Sequence, residues 1–273
     1  MSTPNNVVFV RHGQSEANVL QEAEKEVRTH ELAAELRERP DWQHRLTERG
    51  IEQAKATGAW LIENVGPLEQ AFDARYVSAF LRARETAAYL GGTALTWRPH
   101  SLLHERDWGE FGEVPRSDRA ELYPRTTRMR KTAPLYARYD GGEALADNVT
   151  LRVRDYRRTL KQKWHGKNVL TVAHGDILST VRYVNEELLP EQWEVIEKDE
   201  SQRINNGDIL WYSNTNPADA REQLPYLHWM RMIHPTDVAA SPFGGEWREM
   251  NDNRLFSGTE LLKSVELAPR LLS

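Results

Sequence analysis

Two histidines in this chain each follow a short apolar run and precede a glycine. Val7-Val8-Phe9-Val10 leads into Arg11-His12-Gly13, and Val169-Leu170-Thr171-Val172-Ala173 leads into His174-Gly175. Runs of this kind read as strands buried on both faces. In an open α/β sheet, ligands bind beyond the carboxyl ends of such strands, so both imidazoles are expected at one sheet edge. Gly13 would let the backbone come close to whatever His12 faces. A third strand candidate, Arg75-Tyr76-Val77, is followed by Ser78, read as a cap, and by a helix carrying Arg82, Arg84 and Glu85. A side chain in the first turn of that helix points back to the strand end, where amides and dipole already favour an anion. Arg82 can thus reach the pocket of His12, and Asn18 joins it from the loop after the first strand.

Arg11, Arg82 and His174 gathered around His12 would disfavour a cation on its ring and select a dianionic ligand, for which phosphate fits. A neutral imidazole nitrogen is a competent nucleophile at phosphorus, and the arginines would hold the equatorial oxygens in the transition state. The product is a phosphohistidine. The departing alkoxide needs a proton. Glu105 lies in the stretch Leu102 to Gly112, placed on a loop at the pocket mouth, and its pKa could be raised enough to supply one near neutral pH; Asp107 is the second candidate.

The remaining elements must position these groups. Val19 to Arg39 is rich in Glu, Arg, Lys and Ala, with Leu20, Ala23, Val27, Leu32 and Leu36 as sparse apolar positions, and reads as an exposed helical insertion ended by Pro40. Thr47 is a plausible N-cap for a helix running to about Ile62. From Val114 to Asp140 no periodicity is clear, and Arg125, Arg128, Arg130 and Lys131 form a basic cluster read as a solvated loop. Leu145, Val149, Val153, Tyr156, Leu160 and Trp164 recur at three- or four-residue steps, as an amphipathic helix does. A helix from Ile177 to about Glu187, a polar segment, a strand near Ile209 to Tyr212, turn chemistry at Asn214 to Pro217 and a strand candidate from Tyr226 to Ile233 complete the reading. No function is assigned to residues after about Asn216.

Composition narrows the function classes. The 273 residues, 39% hydrophobic and 28% charged, suit an ordinary globular protein, and no apolar run approaches the roughly 20 residues a membrane span needs. No basic or apolar segment precedes the first strand, so it does not read as a secretory signal; with no cysteine, this favours a cytoplasmic location. The lack of cysteine excludes disulfides, thiolate catalysis and Cys-type zinc sites. A net charge of -5 argues against nonspecific nucleic-acid affinity while allowing a local cationic pocket. A homodimer is compatible with the sequence.

These residues resemble the histidine phosphatase superfamily, also called phosphoglycerate-mutase-like, in its branch 1. Its Arg-His-Gly opening matches Arg11, His12 and Gly13, and the following Asn matches Asn18. Its Leu-Thr-x-x-Gly-x-x-Gln-Ala helix start appears as Leu46 to Ala54, and its Ser-x-x-x-Arg-Ala-x-x-Thr-Ala segment as Ser78 to Ala87, which assigns the second phosphate-binding arginine to Arg82 rather than Arg84. The proton-donor position matches Glu105, the Gly-Glu turn Gly142-Glu143, and the second histidine His174. The resemblance implies an α/β fold, a three-layer α/β/α sandwich with a mostly parallel central sheet. It also implies a phosphohistidine intermediate, with no metal and no cofactor. Residues 1–214 would be the histidine phosphatase domain, with the helical insertion at about 19–45, and 215–273 a C-terminal extension packed on the same domain. Two departures stand out. Gly175 is followed by Asp176 where the family often has a second glycine, and the Asp directly after this histidine in the acid-phosphatase branch is lacking, which keeps Glu105 as the acid. The tail beyond Asn216 finds no counterpart in the resemblance.

The first functional reading is a phosphomonoesterase acting on a small phosphorylated metabolite, with His12, Glu105, His174, Arg11 and Arg82 catalytic and Arg11, Asn18, Arg82 and His174 holding the phosphate. A phosphoglycerate-type mutase is the alternative, drawing extra cations from Arg128, Arg130 and Lys131, whose spacing is not the expected adjacent arginine pair. A non-catalytic phospho-ligand-binding protein would require a core residue to be replaced, and none is.

Overall fold

The computed structural model describes residues 3–26, 33–250, 256–268 and 270–271. In chain order the elements are β1 (Asn6–Arg11), α1 (Glu16–Lys25), α2 (Ala33–Glu38), α3 (Glu48–Val65), α4 (Leu68–Ala71), β2 (Ala74–Ser78), α5 (Leu81–Gly91), β3 (Arg98–His100), α6 (Gly109–Glu113), α7 (Arg119–Leu122) and α8 (Pro124–Thr132). There follow α9 (Thr150–Lys163), β4 (Asn168–Ala173), α10 (Gly175–Asn185), α11 (Pro190–Lys198), β5 (Ile209–Ser213), β6 (Trp229–Ile233), β7 (Arg248–Glu249) and α12 (Gly258–Ser264).

The strands form one mixed sheet in the order β3-β2-β4-β1-β5-β6-β7. The β3-β2, β2-β4 and β4-β1 pairs are parallel, and the pairs from β1 outward through β5, β6 and β7 are antiparallel. Strand alternation divides the core into two layers. Val7, Phe9 and Val169 pack with Tyr156, Leu160 and Val181 of α9 and α10, whereas Val8, Val10, Leu170 and Val172 pack with Leu61, Ala83 and Leu90 of α3 and α5. The result is the expected α/β/α sandwich, with helices after β1. Beyond β5, β6 continues the sheet, and its Arg231 guanidinium lies over the rings of Trp60, Trp211 and Trp247 at 4.5 to 5.3 Å. No helix among the described residues is long and apolar enough to cross a membrane.

Several local expectations change. The insertion begins earlier, at Glu16, which places Asn18 in the first turn of α1 rather than on a loop. Its Ala23 and Leu36 are buried, while Val27 and Leu32 lie outside the described residues. Thr47 does cap α3, its hydroxyl accepting from the Gly50 amide at 3.1 Å. The stretch read as a solvated loop contains α7 and α8. Pro124 opens α8, and the helix docks by polar and stacking contacts instead of an apolar stripe: Thr126 donates to Asp140 at 2.7 Å and Arg130 lies 4.8 Å over Trp108. The polar segment after Glu187 likewise hides α11, anchored by one buried residue, Trp193. Ser78 ends β2, and Phe80, whose side chain makes no capping hydrogen bond, stands at the N-cap position of α5.

Candidate functional site

The register of the two central parallel strands does most of the positioning. Arg11 of β1 stands beside Ala173 of β4, so the next residue of each strand, His12 and His174, emerges side by side. Their ring centroids are 5.0 Å apart, and both side chains are buried. The glycine after each strand serves a packing need at this exit. A Cβ on Gly13 would sit 2.2 Å from the Gly50 carbonyl oxygen, so Gly13 allows β1 to abut the first turn of α3 rather than a ligand. A Cβ on Gly175 would sit 3.3 Å from the Arg11 guanidinium.

Hydrogen bonding assigns the ring protons. His12 Nδ1 is 2.7 Å from the Gly13 carbonyl oxygen, which can only accept, so Nδ1 carries the proton and Nε2 presents a lone pair. His174 Nε2 is 2.7 Å from Ser78 Oγ, and Ser78 Oγ accepts from the Phe80 amide at 3.3 Å. Donation of the Ser78 hydroxyl proton to Nε2 leaves the His174 proton on Nδ1, a buried atom with no protein partner. Burial lowers the pKa of both imidazoles well below the ordinary value, followed by the Arg82 charge, so both rings are neutral.

Arg82 is 3% exposed and reaches the site from the second position of α5, while Arg84 is exposed. Both terminal nitrogens of Arg82 bind Asp41. Arg11 donates to the Ile204 carbonyl at 2.6 Å, and its Nε is buried without a protein partner. Asn18 Oδ1 accepts from the Ser15 amide and hydroxyl and from Asn206 Nδ2, which also donates to the His12 carbonyl at 2.9 Å. A buried polar atom without a partner needs an explanation, and those of Arg11 and His174 belong to residues that flank the same strand exits.

Glu105 is half-buried and accepts from the Arg106 amide at 2.9 Å. Burial and then the Asp176 carboxylate push its pKa up to about 7. Asp176 stands in the first turn of α10, 3.9 Å from Arg106 Nη1. Asp107, the second acid candidate, is exposed and accepts from the Gly109 amide at 2.8 Å. Glu143 holds this stretch in place. It accepts from the Asp107 amide and pairs with Arg152 at 2.7 Å, while Arg152 Nη1 donates to the carbonyls of Leu102 and His104. The stretch itself is partly helical, with a tight turn at Ser101–Leu103 and α6 at its end.

The structure thus brings Arg11, His12, Arg82 and His174 together, with Asn18 tied to the His12 backbone through Asn206 and Glu105 held in the charge field of Arg11 and Arg82. Of the basic cluster, Arg125, Arg128 and Lys131 are exposed, and Arg130 covers Trp108. Sequence reasoning missed Asp41, Asn206 and the pairing of Ser78 with His174. Asn205-Asn206-Gly207 carries a turn signal only, and Asp41 lies among other charged residues of the insertion. Among the described residues no group of three or more His, Asp or Glu side chains is arranged to hold a metal.

Comparison with known proteins accords with this geometry. The chain is 31% identical over 197 residues to a 2,3-bisphosphoglycerate-dependent phosphoglycerate mutase of Azorhizobium caulinodans, covering 68% of this chain and 83% of that one. The fold is similar to that of the alpha-ribazole phosphatase from Shigella flexneri, with a TM-score of 0.59 and 22% identity over 81% of this chain and 95% of the other. It is also similar to Mycobacterial hydrolase 2, with a TM-score of 0.58 and 20% identity over 98% of both chains. That likeness in fold reaches through the region after Asn216. The profile of the histidine phosphatase superfamily (branch 1) matches residues 7–204. Phosphatase or mutase chemistry through a phosphohistidine, on a small phosphorylated metabolite, is the activity class these relationships support. A match over most of the chain, joined to relatives above 30% identity, places this protein in the histidine phosphatase superfamily, branch 1, as an enzyme of that group.

Proposed function

We propose that the protein is a phosphomonoesterase that hydrolyses a small phosphorylated metabolite through a phosphohistidine on His12. The observation that carries this reading is the neutral His12 ring with an unprotonated Nε2, its centroid 5.0 Å from that of His174, flanked by the buried Arg82 and the half-buried Arg11. The Nε2 lone pair attacks phosphorus, the ester P–O bond breaks, and its electron pair leaves on the alcohol oxygen. Glu105, protonated near neutral pH, gives that oxygen its proton. Water then attacks the phosphohistidine, Glu105 takes a proton back, and the P–N bond electrons return to Nε2 with release of phosphate. Arg11, Arg82, Asn18 and the Nδ1–H of His174 hold the phosphoryl oxygens, where fixed donors stabilise the charge of the transition state. Residues 1–214 are read as the catalytic domain and 215–273 as an extension packed on it.

Protein incubated with a phosphate-labelled ester and quenched in alkaline detergent is expected to carry label on His12. His12→Ala should lose both label and turnover; turnover retained in that variant removes the nucleophile assignment. The mutase reading rests on the sequence relative from Azorhizobium caulinodans. Free phosphate released from an aryl phosphate supports hydrolysis, while isomerisation of 3-phosphoglycerate without release supports the mutase. The spacing of Arg128, Arg130 and Lys131, which contains no adjacent arginine pair, favours the former.

A further inference from the structure

The helical insertion ends in a turn, Asp41–Gln43, that lies against the first turn of α5. Three contacts join Asp41 to Arg82. Arg82 Nη1 donates to the Asp41 backbone carbonyl at 2.6 Å and to Oδ1 at 3.1 Å, and Nη2 donates to Oδ2 at 3.0 Å. The carboxylate thereby takes the Nη1/Nη2 edge of the guanidinium fork. Among the described residues, Arg82 donates only to Asp41, through Nη1 and Nη2, which leaves the Nε/Nη2 edge of the fork for another bidentate oxyanion. After burial, the Arg82 charge is the strongest influence depressing both His12 and His174, so this side chain acts on the two imidazoles directly.

We infer that the insertion supplies Asp41 as a positioning residue, a brace that fixes Arg82 so that its free edge meets the phosphoryl oxygens. The inference rests on Arg82 being a phosphate ligand of the proposed site. A brace fits better than a removable latch because one of the three contacts is a backbone carbonyl, which cannot withdraw unless the turn itself moves. The turn is held by the residues that follow it. His44 Nε2–H donates to the Leu36 carbonyl of α2 at 2.9 Å, and Nδ1 lies 3.4 Å from Asp41 Oδ1. Four residues beyond the start of the turn, Arg45 and the Leu46 amide both bind Glu85, one turn along α5 from Arg82. The C-terminal end of the insertion is therefore coupled to the anion pocket through the Arg82 guanidinium.

Inorganic phosphate binding, measured by titration calorimetry on the full chain, tests this without relying on turnover. Asp41→Asn keeps the shape and the backbone carbonyl but removes the charge, and is expected to weaken phosphate binding roughly 10-fold. Arg82→Ala should weaken it more, and adding Asp41→Asn to Arg82→Ala should change nothing further. Asp41→Glu should recover part of the loss, which distinguishes lost pairing from general loosening; unfolding midpoints of all variants provide the control for folding. Unchanged or tighter phosphate binding in Asp41→Asn, with binding still lost in Arg82→Ala, overturns the brace alone. Unchanged binding in Arg82→Ala overturns both the brace and the place of Arg82 in the site.

Discussion

The exits of β1 and β4 are built from the same short pattern, an apolar strand followed by His-Gly, yet they present opposite ring atoms. At the β1 exit, the imidazole turns its Nδ1 proton to the carbonyl of the next residue, and Nε2 is left basic. At the β4 exit, a serine on the neighbouring strand β2 takes Nε2, and the orphan atom is Nδ1, a donor. One ring is arranged to give electrons and the other to give a hydrogen bond. The glycines differ in the same way, since Gly13 is wedged against backbone and Gly175 against a side chain. A local motif thus delivers an imidazole to the edge, and the hydrogen-bond partner decides its chemical role.

The largest expected difference between the exits is kinetic. His12→Ala should cost on the order of 10,000-fold in turnover and lose the phosphoenzyme. His174→Ala removes one donor to the transferring group and should cost on the order of 100- to 1,000-fold, with the remaining label still on His12. Rapid-quench labelling followed by peptide mapping separates them; label on His174 in the native protein would invert the assignment. The glycines should part in stability. Gly13→Ala forces a methyl against a backbone carbonyl that cannot swing away, and should destabilise by roughly 3 kcal/mol or more. Gly175→Ala meets the end of the Arg11 side chain, so its urea midpoint should stay near that of the native protein while phosphate affinity falls. Equal midpoints for the two variants would mean that the β1 exit is not wedged.

These contrasts also mark how far the sequence could be read. The strands at Val7 to Val10 and Val169 to Ala173 were legible because runs buried on both faces need near-continuous apolar residues, and the register of parallel neighbours then set both histidines at one edge. Arg82 was legible because a strand followed at once by a helix aims the first turn at that edge. Asp41 and Asn206 were not, because each acts through a long-range contact, to Arg82 and to Asn18, from segments whose local pattern says only charged or turn. Ser78 was noticed for the wrong reason, since a hydroxyl before a helix suggests a cap and nothing local reveals a histidine on the next strand. Helices α8 and α11 escaped for a different cause: each docks through a few stacked or polar side chains and lacks the apolar periodicity that announces a packed helix.

A smaller effect is expected at the serine that distinguishes the β4 exit. Ser78→Ala removes the partner of His174 Nε2 from a fully buried site, which should cost about 1 kcal/mol of stability and roughly 10-fold in turnover as the ring loses its fixed tautomer. Restoration by Ser78→Thr would support the hydroxyl as the cause, and undiminished turnover in Ser78→Ala would show that the tautomer is set elsewhere.

The least pronounced change concerns Asp176, the residue that follows His174-Gly175 and has no equivalent after His12-Gly13. Its carboxylate, second to burial, raises Glu105 to about 7. A general acid works in its protonated form, so turnover of esters with poor leaving groups should fall as pH rises through that value. In Asp176→Asn the like charge is gone while burial remains. Glu105 then loses its proton at lower pH, and the alkaline limb of kcat/KM should move down without returning to the ordinary glutamate range. Aryl phosphates, whose leaving groups need no proton, provide the internal control and should show little of this movement. A limb that stays in place for both substrate classes would separate Asp176 from Glu105 and leave burial as the sole cause of its raised pKa.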